Sequence, residues 1–370
     1  MNWLRHLFIL CVINSLLFLN GDSSSHAMED EAQEMGIHAL GWNGSEWLIG
    51  GNTLRVFQDG FSPHPLLVKY SNIFTDISSQ LDIEDTIIDK ISWNGEYFLI
   101  CYSFHEYGGL LKYDGNQIHH IPLPGEPLSL RATTLDWNGE YWLIGGSYVG
   151  YGYLVAYDGV TITDISSFFT GVKSVVWMED SWLISGINLD RVEILAKYDG
   201  DTFTEIEKPD FVGTIANSHW NGEYVLLESD GNLIRFDGTE FVDTGFSNQV
   251  SSLAWNGEYW LLGGGKGMLT EYNGKAFVDL TFKAGIDGRI QALEWNGEYW
   301  LLGDRTGVLK MYNGKEFTDL TSQFKEAVHF PSEPEPESPE QENTFDSTVI
   351  GIIIILFVIS LSYLLVKKNQ

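Results

Sequence analysis

One ten-residue phrase recurs along the chain and restricts what the chain can fold into. The phrase is WNGEYWLIGG at 137–146, WNGEYWLLGG at 255–264 and WNGEYWLLGD at 295–304. With some drift it occurs seven times, always opening on tryptophan: Trp42, Trp93, Trp137, Trp177, Trp220, Trp255 and Trp295. Successive tryptophans are 35 to 51 residues apart. Repeats of about 40 residues indicate a single small structural unit that is used several times in a row.

A second phrase lies inside most repeats and predicts what the unit is. It consists of an aromatic residue, then Asp or Asn, then Gly, as in YDG at 113–115 and YNG at 312–314. Asn-Gly or Asp-Gly between strand-like runs is the strongest short hairpin signal and predicts type I′ turns. The runs between these turns are five to seven residues long and leave no room for a helix. Each repeat is therefore predicted to be a four-stranded antiparallel sheet.

The predicted strands are apolar on both faces, as Trp300 and Leu301 illustrate in the last repeat. A sheet of such strands must be covered on both sides, and a ring of seven sheets covers each sheet with its two neighbours. The predicted fold class is therefore all-β, a seven-bladed β-propeller of four-stranded antiparallel blades over residues 37–325. The first repeat is longer than the others, and residues 52–65 are predicted to be a loop insertion.

The repeat resembles the kelch-type β-propeller. In that family a Gly-Gly pair ends one strand, a Tyr follows, and the last strand carries an aromatic residue. The matching positions are Gly50-Gly51, Gly145-Gly146 and Gly263-Gly264 for the pair; Tyr113, Tyr157, Tyr198, Phe236, Tyr272 and Tyr312 for the Tyr; and Phe203, Phe241, Phe277 and Phe317 for the last aromatic. Four repeats lack the full pair. The resemblance implies a binding scaffold in most members of the family and an enzyme in a minority.

The two ends of the chain predict export and membrane anchoring. Residues 1–26 combine a short basic start with an apolar run, the pattern of a signal peptide; an uncleaved anchor is the alternative. Residues 326–347 are predicted to form an extended acidic stalk rich in proline. Residues 348–366 carry no charge and would be ~28 Å long as a helix, which matches a bilayer. The predicted architecture therefore adds one C-terminal transmembrane helix to the propeller.

Charge predicts the topology and restricts the partners. Lys367 and Lys368 in the tail 367–370 place the C-terminus in the cytoplasm and the propeller outside a single-pass cell membrane. The same lysines resemble a dilysine retrieval signal, so the endoplasmic reticulum membrane is the alternative if the protein is eukaryotic. The formal net charge of −30 argues against nucleic acid as a partner. The expected partners are a protein or a glycan at the cell surface, besides the membrane.

The topology of a four-stranded blade predicts where a ligand would bind. The WNG and YDG turns fall on one side of the disc, and the more variable connections fall on the other. Loops on a rigid scaffold are the usual place for binding, and exposed aromatic side chains stack on sugars or anchor in protein pockets. A ligand-binding patch is therefore predicted above repeats two to four: Phe104, His105, Tyr107, His119, His120, Tyr148, Tyr151 and Tyr153. The alternative is that these aromatic residues only pack on each other.

Signals for catalysis are few. The motifs H-E-x-x-H, G-x-S-x-G and C-x-x-C are absent from the chain, so no catalytic residue, cofactor or metal is predicted. The WNG tryptophans are predicted to be packing residues. The expected function is non-catalytic binding of a protein or glycan at the cell surface. The alternatives are an extracellular carbohydrate-active enzyme (a glycosidase or lyase) with carboxylates across the central channel, and a scaffold subunit of an envelope complex.

Overall fold

Seven sheets stand around a common axis. The computed structural model describes residues 34–57, 60–104, 107–123, 130–148 and 151–330; the signal peptide, the transmembrane helix, the tail and most of the stalk that the sequence predicted lie outside these residues. Each sheet has four antiparallel strands in chain order. The first strand of each sheet contacts the first strand of the next, and the last sheet contacts the first. The prediction of a seven-bladed β-propeller is therefore confirmed.

The blades have the following strands. Blade 1 contains β1 (Glu34–Trp42), β2 (Trp47–Phe57), β3 (Gly60–Tyr70) and β4 (Phe74–Asp76); blade 2 contains β5 (Ile87–Trp93), β6 (Phe98–Phe104), β7 (Tyr107–Tyr113) and β8 (Ile118–Ile121); blade 3 contains β9 (Leu130–Trp137), β10 (Trp142–Tyr148), β11 (Tyr151–Tyr157) and β12 (Ile162–Asp164); blade 4 contains β13 (Phe169–Trp177), β14 (Trp182–Asn188), β15 (Glu193–Tyr198) and β16 (Phe203–Ile206). Blade 5 contains β17 (Ile215–Trp220), β18 (Val225–Ser229), β19 (Asn232–Phe236) and β20 (Phe241–Ser247); blade 6 contains β21 (Val250–Trp255), β22 (Trp260–Gly264), β23 (Leu269–Tyr272) and β24 (Phe277–Asp279); blade 7 contains β25 (Ile290–Trp295), β26 (Trp300–Asp304), β27 (Leu309–Tyr312) and β28 (Phe317–Asp319).

Helices are short, and all except the 3₁₀ turn between β22 and β23 follow the outermost strand of a blade. Helix α1 (Thr281–Ala284) follows blade 6 and α2 (Thr321–Ala327) follows blade 7, and single 3₁₀ turns occur at Ser78–Gln80, Ser166–Phe168 and Gly265–Gly267. Among the residues that the structure describes, no helix has the length and apolar character needed to cross a bilayer. The predicted transmembrane segment 348–366 is not among those residues.

The repeated turns are four-residue connections, so the prediction of two-residue type I′ turns was wrong. In blade 6 the turn runs from Asn256 to Tyr259, and Asn256 Oδ1 accepts the backbone N–H groups of Glu258 (2.9 Å) and Tyr259 (2.8 Å). Only Gly257 has a positive φ, of 96°. The Asn side chain supplies the acceptor that the turn amides need, so a single glycine suffices for the reversal. Asp158 accepts two amides in the same way at an outer turn.

The connections between the second and third strands of blades 1 to 3 are β-ribbons. In blade 1 the pairing continues to Phe57 and Gly60, so residues 52–65 are strand and not the predicted loop insertion, except for 58 and 59, which are not described. The second strand has 11 residues in blade 1 and 7 in blades 2 to 4, but 5 in blades 5 to 7. The longer strands therefore add about 7 to 20 Å. We call the side of the disc where β2 and β3 are joined the ribbon face, and the WNG side the turn face.

The Gly-Gly pairs are explained by close packing. A Cβ on Gly50 would lie 2.5 Å from Cγ2 of Ile88 in the next blade, and one on Gly51 would overlap the carbonyl oxygen of Gly36. Blade 2 has Cys101 in place of the first glycine, and there the next blade presents the smaller Ala132, which packs in the same cluster. Glycine is therefore needed where a branched side chain and a backbone approach the strand from both sides.

Neighbouring blades are joined by hydrogen bonds between an indole and a phenol. Trp142 Nε1 of blade 3 donates to Tyr97 Oη of blade 2 at 3.1 Å. The same bond occurs at four other interfaces, as Trp47–Tyr299, Trp182–Tyr141, Trp260–Tyr224 and Trp300–Tyr259. At the remaining two interfaces both partners are missing, because the equivalent positions hold Glu46 with Phe98 and Ser181 with Val225. A buried N–H without an acceptor is costly, which explains why donor and acceptor are absent together.

Within the described residues, the ring closes without the exchange of a strand between the first and last blades. Helix α2 instead covers the junction: the ring of Phe324, which is fully buried, lies with its centroid 5.7 Å from that of Phe74 in β4. Beyond the helix, the backbone N–H of His329 donates to Asp76 Oδ2 at 2.7 Å. The segment that follows the last blade therefore fastens blade 7 to the outer edge of blade 1.

Candidate functional site

The predicted ligand-binding patch is brought together only in part. Phe104 pairs with Tyr107, and Tyr148 pairs with Tyr151, as the last register pairs of the ribbons in blades 2 and 3. The backbone therefore places these four residues on the ribbon face, as the sequence predicted, although in strands rather than in loops. His105 lies outside the described residues.

The other three predicted residues lie elsewhere. His119 and His120 belong to β8, the outermost strand of blade 2, and not to the connection that follows it. Both are exposed. Tyr153 is only 7 % exposed and packs in the core between blades 2 and 3. Burial raises the pKa of its phenol, so Tyr153 is a packing residue and is not available to a ligand at the surface.

The two histidines line a groove on the outer rim of the disc. The groove has a volume of about 640 Å³ and lies between β8 of blade 2 and β12 of blade 3. Lys112 and Asp114 contribute charge to one wall, and Val160, which is 90 % exposed, contributes an apolar surface to the other. This volume is in the range of ordinary ligand pockets, but the groove is open to solvent on the rim.

A second candidate site is the channel along the propeller axis. The innermost strands of all seven blades line it, and its volume is about 180 Å³. Each of these strands has a β-bulge four residues before its tryptophan, at His38, Asp89, Thr133, Lys173, Ala216, Ser251 and Gln291. A bulge redirects the side chains that follow it. The residues just after the bulges are polar in five blades and line the channel: Lys90, Thr134, Ser174, Asn217 and Ser252.

Two channel residues of opposite charge come from neighbouring blades. Lys90 extends from blade 2 into the channel, where its side chain reaches solvent. The surrounding protein lowers the pKa of Lys90, and the nearby carboxylates oppose this effect. Asp136 of blade 3 is held by the backbone N–H groups of Trp137 (2.9 Å) and Trp177 (2.8 Å). Burial nevertheless raises the pKa of Asp136 to about 6.

The opposite walls of the channel carry a glutamate and a histidine. Glu294 of blade 7 and His219 of blade 5 both stand one residue before their tryptophans, level with Asp136. Burial raises the pKa of Glu294 to about 7, and Lys90 opposes the shift. Burial also lowers the pKa of His219 to about 4, and the charge of Lys90 adds to this effect. At neutral pH His219 is therefore an uncharged imidazole, and the protonation of Glu294 is close to balanced.

Sequence reasoning missed this channel cluster, although the aligned repeats carry a signal for it. The position before each tryptophan holds Gly41, Ser92, Asp136, Val176, His219, Ala254 and Glu294. Three of these seven residues are ionisable, and the other four are small or apolar. Packing between blades does not require ionisable side chains at this position, so their presence indicates a different role. Within the described ranges, no three His, Cys, Asp or Glu side chains are grouped closely enough to hold a metal ion.

Comparisons with known proteins show the fold. No family model and no curated protein matches the sequence. A solved structure of YCF48 bound to D1 peptide has a TM-score of 0.56 at 12 % identity, covering 76 % of this chain and 93 % of that chain. The β-propeller domain of the Trilobed protease from Pyrococcus furiosus has a TM-score of 0.53 at 14 % identity, with 78 % and 96 % covered. A chain of the Mitotic Checkpoint Complex has a TM-score of 0.52 at 12 % identity, with 76 % and 88 % covered. The chain shares the β-propeller fold with all three.

Proposed function

We propose that this protein is a non-catalytic binding module that holds a protein partner on its ribbon face. The asymmetry of that face carries the proposal. The second strands of blades 1 to 4 are two to six residues longer than those of blades 5 to 7. In blades 1 to 3 their pairing with the third strand continues to Phe57–Gly60, Phe104–Tyr107 and Tyr148–Tyr151. Paired ribbons raised on one side of a disc form a rigid wall, whereas packing of the ring requires no such extension.

Exposed apolar side chains are also present on the ribbon face. Leu189 and Val192, in the connection between β14 and β15, are 68 % and 54 % exposed, and Phe211, in the connection between blades 4 and 5, is 46 % exposed. Both connections lie on the ribbon face. Apolar and aromatic side chains of this kind are the usual anchors of protein interfaces. The fold neighbours YCF48, solved with a peptide, and the Mitotic Checkpoint Complex chain offer an analogy for a protein partner.

The proposal includes the setting that the sequence predicts. The propeller, with its kelch-like repeat, would be displayed outside the cell on the acidic stalk, anchored by the helix 348–366 with a cytoplasmic tail. A glycan partner remains part of the proposal because Phe104, Tyr107, Tyr148 and Tyr151 at the ribbon ends could stack on sugar rings.

Variants on the two faces test the proposal. One variant replaces Tyr107, Tyr148 and Tyr151 with alanine, and a second carries Leu189→Ser and Val192→Ser. The control is Val160→Ser, an exposed apolar residue on the turn face. In a pull-down of cell-surface proteins with the full chain, we expect one reproducible partner that both ribbon variants lose and the control retains. A partner retained by both ribbon variants would refute the assignment of the face.

A polysaccharide array with the same proteins separates the ligand classes. Binding that the ribbon variants lose, without cleavage, would identify a glycan ligand. The appearance of new reducing ends would contradict a non-catalytic function and indicate the carbohydrate-active enzyme instead.

A further inference from the structure

We infer that the axial channel is a binding site for a small zwitterionic molecule, one that carries both a carboxylate and an ammonium group. The inference is independent of the ribbon face. It depends on which channel side chains already have partners in the structure and which do not.

The channel offers a lysine ammonium that its surroundings leave unpaired. Lys90 makes no side-chain hydrogen bond, and no salt bridge within 4.0 Å, to any residue in the described part of the chain. Two of the three carboxylates that act on Lys90 already accept hydrogen bonds from other groups: Asp136 accepts two backbone N–H groups, and Asp89 accepts the hydroxyl of Ser103. A charged donor that projects into a polar cavity without an acceptor is suited to an anionic group of a ligand.

The same cavity offers a carboxyl group without a side-chain partner. Among the described residues only the backbone N–H of the adjacent Trp295 lies beside the Glu294 side chain, and Lys90 is close enough to affect its pKa. Lys90 and Glu294 thus face one cavity but lie more than 4.0 Å apart. A molecule with opposite charges at its two ends can pair with both. A neutral molecule would leave both without a charged partner, and a simple ion would satisfy only one of them.

Size and polarity restrict the ligand further. The volume of about 180 Å³ is below the roughly 300–1,000 Å³ of pockets that hold drug-sized ligands, so the cavity suits a molecule of the size of one amino acid or short amino-carboxylate. His219, uncharged at neutral pH, and the hydroxyl groups of Ser92, Ser174 and Ser218 provide neutral hydrogen-bond partners around the two charges.

The test is calorimetric titration of the purified full chain in detergent with a matched set of probes. γ-Aminobutyrate carries both charges, butyrate only the anion, butylamine only the cation, and glucose neither. We expect γ-aminobutyrate, or its shorter homologues β-alanine and glycine, to bind roughly ten- to a hundredfold more tightly than the single-charge analogues, as for charged hydrogen bonds. Equal affinity for the single-charge analogues, binding of glucose alone, or no binding of any probe at millimolar concentration would overturn the inference.

Variants assign the two ends of the ligand. Lys90→Met should reduce the affinity for the zwitterion to that of butylamine, and Glu294→Gln should reduce it to that of butyrate. Lys173→Met is the matched control, because Lys173 pairs with Glu193 at 2.6 Å and does not line the channel. Lys90→Arg, which keeps the charge, should retain binding. If Lys90 only neutralised the neighbouring acids, Lys90→Met would lower the unfolding temperature and leave the affinity for the zwitterion unchanged, which would contradict the inference. Should Lys90→Met fail to fold, the comparison of the four probes on the unmodified protein still tests the inference.

Discussion

The bond between Trp142 and Tyr97 gives a quantitative test of how the blades are joined. Trp142 is fully buried and Tyr97 is 2 % exposed, and the indole N–H donates to the phenol oxygen at 3.1 Å. Tyr97→Phe keeps the ring and removes only the acceptor, so the N–H is left unpaired in a dry interface. Such a buried unpaired donor costs ~1–3 kcal/mol, and we expect the free energy of unfolding to fall by that amount.

A double-mutant cycle isolates the bond from the packing. Trp142→Phe removes the donor but also leaves a small cavity, so its own cost is larger. In the double variant the acceptor and the donor are lost together, as in the natural pair Glu46 and Phe98 at another interface. The double variant should therefore be more stable than the sum of the single effects predicts, by about 1–2 kcal/mol, within the usual range for residues in contact.

Chemical denaturation followed by circular dichroism measures each free energy without relying on tryptophan fluorescence. The control cycle combines Trp142→Phe with Tyr198→Phe, whose hydroxyl donates to its own turn at Gly200 O (2.8 Å). These two changes should be additive within about 0.5 kcal/mol. If the Tyr97 cycle is additive as well, the hydrogen bond does not couple the blades and the explanation for the paired absences fails.

Three further predictions concern closure, charge and the buried thiol. Phe324→Ala should lower the free energy of unfolding by ~3–5 kcal/mol, measured as a lower Tm, because a fully buried phenyl group at the junction of blades 7 and 1 is lost. An unchanged Tm would show that α2 does not hold blades 7 and 1 together. The pKa of Glu294 is about 7 in the folded state and 4.5 ordinarily, so the unmodified protein loses stability as pH rises from 4.5 to 7 and the carboxyl ionises. The free energy of unfolding of Glu294→Gln should therefore rise relative to that of the unmodified protein between pH 4.5 and 7 and keep a constant advantage above pH 7. Parallel profiles of unfolding free energy against pH would contradict this. Burial raises the pKa of the Cys101 thiol, which is 0 % exposed, so iodoacetamide should modify Cys101 only in denaturant, as measured by mass spectrometry. Equally fast modification of the native protein would be incompatible with a buried Cys101.

The blades were predictable from the sequence because the forces that define them are local. Asn256 and Gly257 form their turn through bonds within four residues, and strands apolar on both faces require covering wherever they stand. The type of turn was predicted wrongly for an equally local reason, the Asn side chain, whereas two other failures were decided by longer-range pairing. Residues 52–65 looked like an insertion because they break the repeat, yet pairing along the full length of β2 and β3 makes them a ribbon. His119 and His120 were assigned to the connection between blades 2 and 3, but pairing with β7 takes them into β8.

The candidate site, like the fold, was predictable from the sequence only in part. The sequence alone determined that there are seven equivalent sheets, that their turns lie on one side, and that the variable connections lie on the other, because repeat spacing and alternation depend only on order along the chain. Only the tertiary structure decided that Lys90, Asp136, His219 and Glu294, spread over four blades, share one channel. The physical reason is closure: these residues become neighbours only when the ring is complete, and the bulges that direct the innermost strands depend on pairing that no single repeat specifies.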